Sequence, residues 1–220
     1  MAIVGTLLVI VFGALAIIGH ELGGARGRRL LIYVGKPAAT LSLLLIVGLP
    51  PADRFAGLIA GGVLFNLAGD ILLISEADLP FLVAVPLVLT GHILYTVAFA
   101  GAAAGGAFWP PPWPAGFVAL LSIALVSLLW PGLGVMKAPV VVYAVAITAM
   151  VAAACKTVNG PLPAVAAGAA TVGAFLFYVS DATLAWNRFR RRFPHAAALT
   201  LATYWLGQIG IAWSARLHTG

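Results

Sequence analysis

The stretch Ala2–Leu22 has the sequence AIVGTLLVIVFGALAIIGHEL, in which Glu21 is the only Asp, Glu, Lys or Arg. A run of about 20 predominantly apolar residues has the length that an α-helix needs to cross the hydrocarbon of a bilayer. A helix satisfies all its own backbone polar groups, which lipid cannot do. This stretch therefore predicts a transmembrane helix.

Similar apolar runs recur along all 220 residues, of which 63% are hydrophobic and only 8% are charged. The mean hydropathy is +1.10. A soluble domain of this length would need more charge to cover its surface. The runs predict an all-α, polytopic membrane protein of about eight helices that forms one transmembrane domain over residues 1–220. The predicted spans are Ala2–Leu22, Leu30–Leu49, Arg54–Ser75, Leu79–Ala104, Ala115–Trp130, Ala138–Cys155, Leu162–Trp186 and Ala196–Arg216.

The net charge of +6 is concentrated in two loops, Gly23–Arg29 and Asn187–His195. Both loops follow odd-numbered spans, and cytoplasmic loops of membrane proteins are enriched in Lys and Arg. We therefore expect a multi-pass protein of the plasma (inner) membrane with both termini on the non-cytoplasmic side. Basic loops of this kind favour contact with membrane lipids. No basic surface interleaved with aromatic residues suggests a nucleic-acid partner, and the sequence does not indicate an oligomeric state.

Three ionisable residues fall inside the predicted spans at similar depth, on the predicted cytoplasmic side: Lys36, Asp70 and Asp181. A charged side chain in the membrane is unfavourable by several kcal/mol unless it is paired or hydrated. Two carboxylates and a lysine at one depth can offset one another across a helical bundle. This arrangement is typical of sites that perform acid–base chemistry.

Further polar residues lie on the same helices. Asn66 precedes Asp70 by four residues and Tyr178 precedes Asp181 by three, so each pair shares a helix face. The remaining members of this predicted site are His92, Tyr95, Tyr204 and Gln208. Other roles remain open for these residues. The buried polar groups, including both aspartates, could form structural hydrogen bonds between helices. The Lys36 side chain could extend to the membrane–water interface.

Short motifs recur in the same order in the two halves of the chain. Gly69-Asp70 in the third span matches Ser180-Asp181 in the seventh, and Gly91-His92-Ile93 in the fourth matches Gly207-Gln208-Ile209 in the eighth. Four spans per half predict two parallel four-helix repeats related by an axis along the membrane normal. A site built from the two aspartates would lie near that axis.

These motifs resemble the YhhN-type family of transmembrane lysoplasmalogenases. The resemblance extends from the second span to the eighth and depends on the order and spacing of several short segments. They are Lys36-Pro37, Asn66-Leu67-Ala68-Gly69-Asp70-Ile71-Leu72-Leu73, Gly91-His92-Ile93-Leu94-Tyr95, Phe177-Tyr178-Val179-Ser180-Asp181-Ala182-Thr183-Leu184-Ala185 and Thr203-Tyr204-Trp205-Leu206-Gly207-Gln208.

The resemblance implies hydrolysis of the vinyl ether bond of a lysoplasmalogen, a lysophospholipid, to a fatty aldehyde and a glycerophospho-base. Such a bond is cleaved by protonation of a carbon and capture of the resulting cation by water. This needs one carboxylic acid and one carboxylate, as in glycosidases. Asp70 and Asp181 are the two candidates, and no metal or cofactor is required. Lys36 and nearby arginines are candidates for the lipid phosphate, and the other polar residues for orienting water or the glycerol hydroxyl.

Other classes of function remain open. Midplane carboxylates and a parallel repeat would equally serve a small proton-coupled transporter, or the chain could be a lipid-binding membrane protein. An intramembrane aspartyl protease is disfavoured because that class pairs a Tyr-Asp motif with a Gly-x-Gly-Asp motif. This chain has Ser180-Asp181 and Leu67-Ala68-Gly69-Asp70 instead. A metal-dependent hydrolase is disfavoured because His92 is the only histidine away from the ends of the predicted spans.

Overall fold

The computed structural model describes residues 1–22, 26–75, 77–104 and 113–218. These residues form eight α-helices and short 3-10 turns, with no strand among them. The all-α prediction is therefore confirmed. The helices are α1 Ala2–Leu22, α2 Arg26–Val47, α3 Arg54–Leu72, α4 Asp78–Ala102, α5 Trp113–Leu129, α6 Lys137–Lys156, α7 Ala164–Phe189 and α8 Ala196–His218.

The helix ends differ from the predicted spans mainly where charged residues continue a helix past its apolar part. Residues 26–29 were predicted to lie in a loop but belong to the first turn of α2, and α7 extends three residues past Trp186 to Phe189. Hydropathy marks where hydrocarbon ends, whereas a helix continues for as long as its backbone hydrogen bonds do. At α3, Asp53 caps the start, because its side chain accepts a 2.8 Å hydrogen bond from the Ala56 amide.

Among the described residues, seven helices, α1 to α7, contain stretches long and apolar enough to cross a membrane. The eighth, α8, has 23 residues but is less apolar because it carries polar side chains such as Tyr204, Gln208 and Ser214. All three side chains are buried in the bundle. The lower hydropathy of α8 therefore reflects groups that face protein.

Helices α7 and α8 approach each other closely through glycines. A Cβ atom built on Gly207 would lie 2.7 Å from the carbonyl oxygen of Gly173, and one built on Gly173 would lie 2.6 Å from that of Gly207. Small residues allow helix backbones to pack at short distance in membrane proteins. This contact fixes α8 against α7 and brings Tyr204 and Gln208 toward the aspartate-bearing helices α3 and α7.

Candidate functional site

Asp70 lies two residues before the end of α3, where it is buried and hydrogen-bonded. Its Oδ1 atom is 3.5 Å from the Nζ atom of Lys36 on α2. Its Oδ2 atom accepts hydrogen bonds from Thr40 Oγ1 at 2.6 Å and from Tyr204 Oη at 2.7 Å. The Lys36 side chain is only 7% exposed, so the lysine does not extend to the interface. A cation and two donors therefore compensate for the burial of this carboxylate.

A chain of hydrogen bonds leads to Asp70 from three residues behind it. The side-chain amide of Asn66 donates to Tyr95 Oη at 3.2 Å, and Tyr95 Oη donates to Gln208 Oε1 at 2.7 Å. Gln208 Nε2 in turn donates to Tyr204 Oη at 3.2 Å. Because Tyr204 accepts this bond, its own hydrogen is directed to Asp70. All donors in the chain point toward the Asp70 carboxylate.

Asp181 on α7 is held by different partners. Its Oδ2 atom accepts a 2.6 Å hydrogen bond from Tyr143 Oη on α6 and lies 3.4 Å from His92 Nε2 on α4. The other ring nitrogen of His92, Nδ1, is 2.8 Å from the carbonyl oxygen of Val88. The Asp181 side chain is 13% exposed, whereas that of His92 is fully buried. Asp181 therefore lies between the protein interior and an open space.

This space is a cavity of about 1080 Å³ that both aspartates line. Lys36, Tyr143 and Tyr204 also line it, and apolar side chains of α4, α5 and α6 form much of its wall. At its other end the lining consists of charged or polar residues at helix ends and in the loop before α8: His20, Glu21, Asp78, Arg188, Arg192 and His195. His195 has a side chain that is 78% exposed, so the cavity reaches the surface at this Arg-rich end of the bundle.

The predicted site residues divide into two groups. Lys36, Asp70, Tyr178, Asp181 and Tyr204 line the cavity, whereas a second layer behind them does not touch it. This second layer consists of the fully buried residues Asn66, His92, Tyr95 and Gln208. Its members contact the cavity-lining residues through the hydrogen bonds described above or, for His92, directly at Asp181.

Tyr178 shares the cavity with Asp181 but has a separate hydrogen-bonding partner. Ser122 Oγ of α5 lies 3.1 Å from Tyr178 Oη and 2.6 Å from Thr148 Oγ1 of α6. These contacts join α5, α6 and α7 beside the cavity. Tyr178 therefore forms part of the wall next to Asp181.

Sequence reasoning missed Thr40 and Tyr143, each of which contacts one aspartate. A signal for Thr40 was present, because it follows Lys36 by one helical turn on the same face. For Tyr143 the signal was weaker, because it is a single tyrosine in a span whose only other hydroxyl group is that of Thr148. Of the five tyrosines in the chain, only Tyr33 lies outside this region, and it is exposed.

The two aspartates have matching positions in the two halves of the chain. Asp70 of α3 is contacted by α2, the preceding helix of its own half, and by α8, the last helix of the other half. Asp181 of α7 is contacted by α6, the preceding helix of its own half, and by α4, the last helix of the first half. Two parallel repeats would produce this crossed arrangement, which supports the predicted duplication.

Comparison with known proteins identifies relatives along most of the chain. The sequence is 29% identical over 180 residues to the "Uncharacterized membrane protein YhhN" of Escherichia coli O6:H1, covering 80% of this chain and 82% of that protein. It is 29% identical over 169 residues to the human "Lysoplasmalogenase TMEM86B", covering 75% and 66% of the two chains. The pig protein of the same name is 48% identical over 42 residues, 19% of each chain. No solved structure gives a significant match.

The family match extends from α2 into α8. Residues 31–215 match the YhhN family, a range that includes Lys36 and both aspartates and leaves α1 outside it. This range is most of the 220 residues, and the chain therefore belongs to the YhhN family.

Proposed function

We propose that this protein is a membrane hydrolase that cleaves the vinyl ether bond of lysoplasmalogens, with Asp70 and Asp181 as its acid–base pair. The observation that carries the proposal is that two carboxyl groups with different partners line one cavity. The human and pig relatives named lysoplasmalogenase support the substrate class.

The reaction converts a vinyl ether and water into an aldehyde and an alcohol. An acid first protonates the vinyl carbon remote from oxygen, and the remaining carbon and the ether oxygen share the positive charge. Water adds to that carbon and loses a proton, which gives a hemiacetal. The hemiacetal then collapses to a fatty aldehyde and releases the glycerol hydroxyl. One carboxyl group must therefore donate a proton, and a carboxylate must stabilise the cation and activate water.

The cavity has the dimensions and lining that a single-chain lipid requires. Its volume of about 1080 Å³ is slightly above the range for ligand pockets, roughly 300–1,000 Å³. A smaller, open surface pocket of about 370 Å³ beside α5 and α7 shares Leu125, Tyr178, Ala182 and Phe193 with it. This second space borders Trp186 and is almost entirely apolar, so we assign the alkenyl chain to it. The chain then leaves the site laterally, toward lipid.

The headgroup is assigned to the Arg-rich end of the cavity. Arg188 and Arg192 line this end, and guanidinium groups bind phosphate oxygens well. Arg188 packs its guanidinium 3.8 Å from the centroid of the Phe81 ring and also pairs with Asp78 at 2.7 Å. Lys36 is paired with the buried Asp70 deeper in the cavity, whereas Asp78, the partner of Arg188, is 93% exposed, so the Arg188 pair is weak. The two arginines are therefore better placed than Lys36 to bind the lipid phosphate.

The substrate class is tested with three matched lysophosphatidylethanolamines that carry a vinyl ether, a saturated ether or an ester at the same position. Purified protein in detergent should release aldehyde from the vinyl ether alone. In deuterated water the aldehyde should carry one deuterium on the carbon next to the carbonyl, because that carbon is protonated from solvent. Absence of aldehyde, or cleavage of the ester instead, would contradict the proposal.

A further inference from the structure

His92 contacts Asp181 without touching the cavity. Its ring is fully buried between aromatic neighbours, with its centroid 4.7 Å from that of Phe177 and 5.1 Å from that of Tyr143. Its Nε2 atom has no hydrogen-bond partner of good geometry among the described residues. The nearest carboxyl oxygen is Asp181 Oδ2, 3.4 Å away. A fully buried polar atom directed at a cavity-lining carboxyl group requires an explanation.

The second ring nitrogen determines where the hydrogen of His92 lies. Nδ1 is 2.8 Å from the carbonyl oxygen of Val88, and a carbonyl oxygen can only accept a hydrogen bond. Nδ1 must therefore carry a hydrogen. If the imidazole is neutral, Nε2 then has a lone pair and no hydrogen.

An unprotonated Nε2 and an ionised Asp181 would then face each other, although both can only accept a hydrogen bond. That contact is repulsive, and the His92 ring is fully buried, away from bulk solvent. One additional proton removes the conflict, whether it is bound to the carboxyl group or to Nε2. Tyr143 does not supply it, because its hydroxyl already donates to the same Oδ2 atom.

Asp70 has the opposite surroundings, because its partners supply a cation and donors. Lys36 supplies the cation. Thr40 Oγ1 accepts a hydrogen bond from Trp205 Nε1 at 3.3 Å and donates its own hydrogen to Asp70 at 2.6 Å, which is its shortest contact. Tyr204 accepts from Gln208 and donates to Asp70. The hydrogen bonds and the ion pair described for Asp70 all come from a cation or from donors, so these surroundings suit an ionised carboxylate.

We infer that Asp181 and His92 share one bound proton, so that Asp181 is the acid of the pair and Asp70 is the carboxylate. This assignment of roles rests on the proposed function, whereas the bound proton itself does not. His92 acts through Asp181 and is a positioning residue.

The charges of the site then balance. Two carboxyl groups, one lysine and one proton sum to zero, with Asp70 paired to Lys36 and Asp181 neutralised by the shared proton. A neutral site is what a bundle buried in lipid requires, because an uncompensated charge there is unfavourable by several kcal/mol. The titratable groups that contact Asp181 from its neighbouring helices are Tyr143 of α6 and His92 of α4.

With Asp181 as the acid and Asp70 as the carboxylate, the protons of the proposed reaction balance. Asp181 gives its proton to the vinyl carbon, and Asp70 takes a proton from the attacking water. When the hemiacetal collapses, Asp181 recovers a proton from the hemiacetal hydroxyl and Asp70 returns its proton to the departing glycerol oxygen. Both carboxyl groups end in their starting states, with one water consumed.

The bound proton can be tested in the substrate-free protein by infrared and ¹⁵N NMR spectroscopy. We expect either a protonated-carboxyl band or an imidazolium signal of His92, present in the wild type and in Asp70→Asn, and absent in Asp181→Asn. An ionised Asp181 beside a neutral His92 would overturn the inference, as would a protonated band that disappears with Asp70→Asn. Because no substrate is present, failure of the proposed function would leave these spectra unchanged.

His92→Gln provides the kinetic test, with His218→Gln at the distant end of α8 as its control. We expect kcat to fall about 10²-fold in His92→Gln, with KM and the binding of the saturated ether lipid unchanged. A normal kcat in a folded His92→Gln variant would overturn the positioning role. If that variant does not fold, the wild-type and Asp181→Asn spectra still decide the question.

Discussion

The Nζ atom of Lys36 on α2 lies 3.5 Å from Oδ1 of Asp70 on α3, and both side chains are 7% exposed. A buried ion pair contributes little relative to an apolar pair of similar volume, but removing one partner leaves an unpaired charge. The pair therefore links the stability of the bundle to the charge state of the site.

Lys36→Met should destabilise the protein by about 3–5 kcal/mol, because it leaves the Asp70 carboxylate without its cation. The double variant Lys36→Met/Asp70→Asn should recover much of this loss, yet remain inactive. Thermal unfolding in detergent measures the first effect and aldehyde release the second. A single variant as stable as the wild type would contradict an ionised Asp70.

Tyr204→Phe removes the hydroxyl that donates to Asp70, and should lower kcat and reduce stability by about 1–3 kcal/mol. Tyr95→Phe provides a matched comparison, because it leaves Gln208 Oε1 without its donor but keeps every direct contact to Asp70. We expect a similar loss of stability with a smaller loss of activity. Equal losses of activity would indicate that the whole chain of hydrogen bonds acts as one unit.

Gly207→Ala should destabilise the protein by about 1–3 kcal/mol, because its Cβ would lie 2.7 Å from the Gly173 carbonyl oxygen and force α7 and α8 apart. Gly168→Ala on α7 is the matched control. A Cβ there meets nothing within 4 Å, so this change should be neutral or slightly stabilising. Unfolding midpoints in one detergent would compare the two variants.

Arg192→Gln should raise KM for the lysophospholipid about tenfold and leave kcat nearly unchanged, because Arg192 lines the outer end of the cavity and the reacting bond lies deeper. Arg191→Gln is the neighbouring control, since Arg191 does not line the cavity. The difference in KM between Arg192→Gln and the wild type should be smaller at high salt, because salt screens exposed charges. An equal change in both variants would indicate general attraction of the lipid to a basic surface.

Hydropathy predicted the number of helices and most of their bounds because the apolar residues occur in uninterrupted runs. It failed at helix ends, where charged residues such as Arg188 continue the helix beyond the apolar part. The predicted orientation in the membrane stays a prediction, because the positive-inside argument depends on loop charge alone.

The sequence predicted which residues form the candidate site better than it predicted the contacts between them. Ionisable residues in apolar spans identified Lys36 and both aspartates. The sequence could not predict that Tyr204 would reach Asp70 from α8, or that His92 would reach Asp181 from α4, because those contacts depend on which helices cross. The matching motifs in the two halves predicted a repeat, but not which helices exchange partners between the halves.

The central claim concerns the two aspartates, and aldehyde release from vinyl ether lysophospholipid by Asp70→Asn and Asp181→Asn tests it most directly. Asp53→Asn is the matched control, because asparagine also caps a helix and Asp53 lies at the other end of α3. Asp70→Asn should be less stable than the wild type because it leaves Lys36 unpaired. In the folded fraction, both site variants should lose about 10²- to 10⁴-fold in kcat, while the control keeps wild-type activity. Full activity in either site variant would contradict the paired-carboxyl mechanism. Lipid uptake into proteoliposomes without aldehyde formation would indicate a transporter.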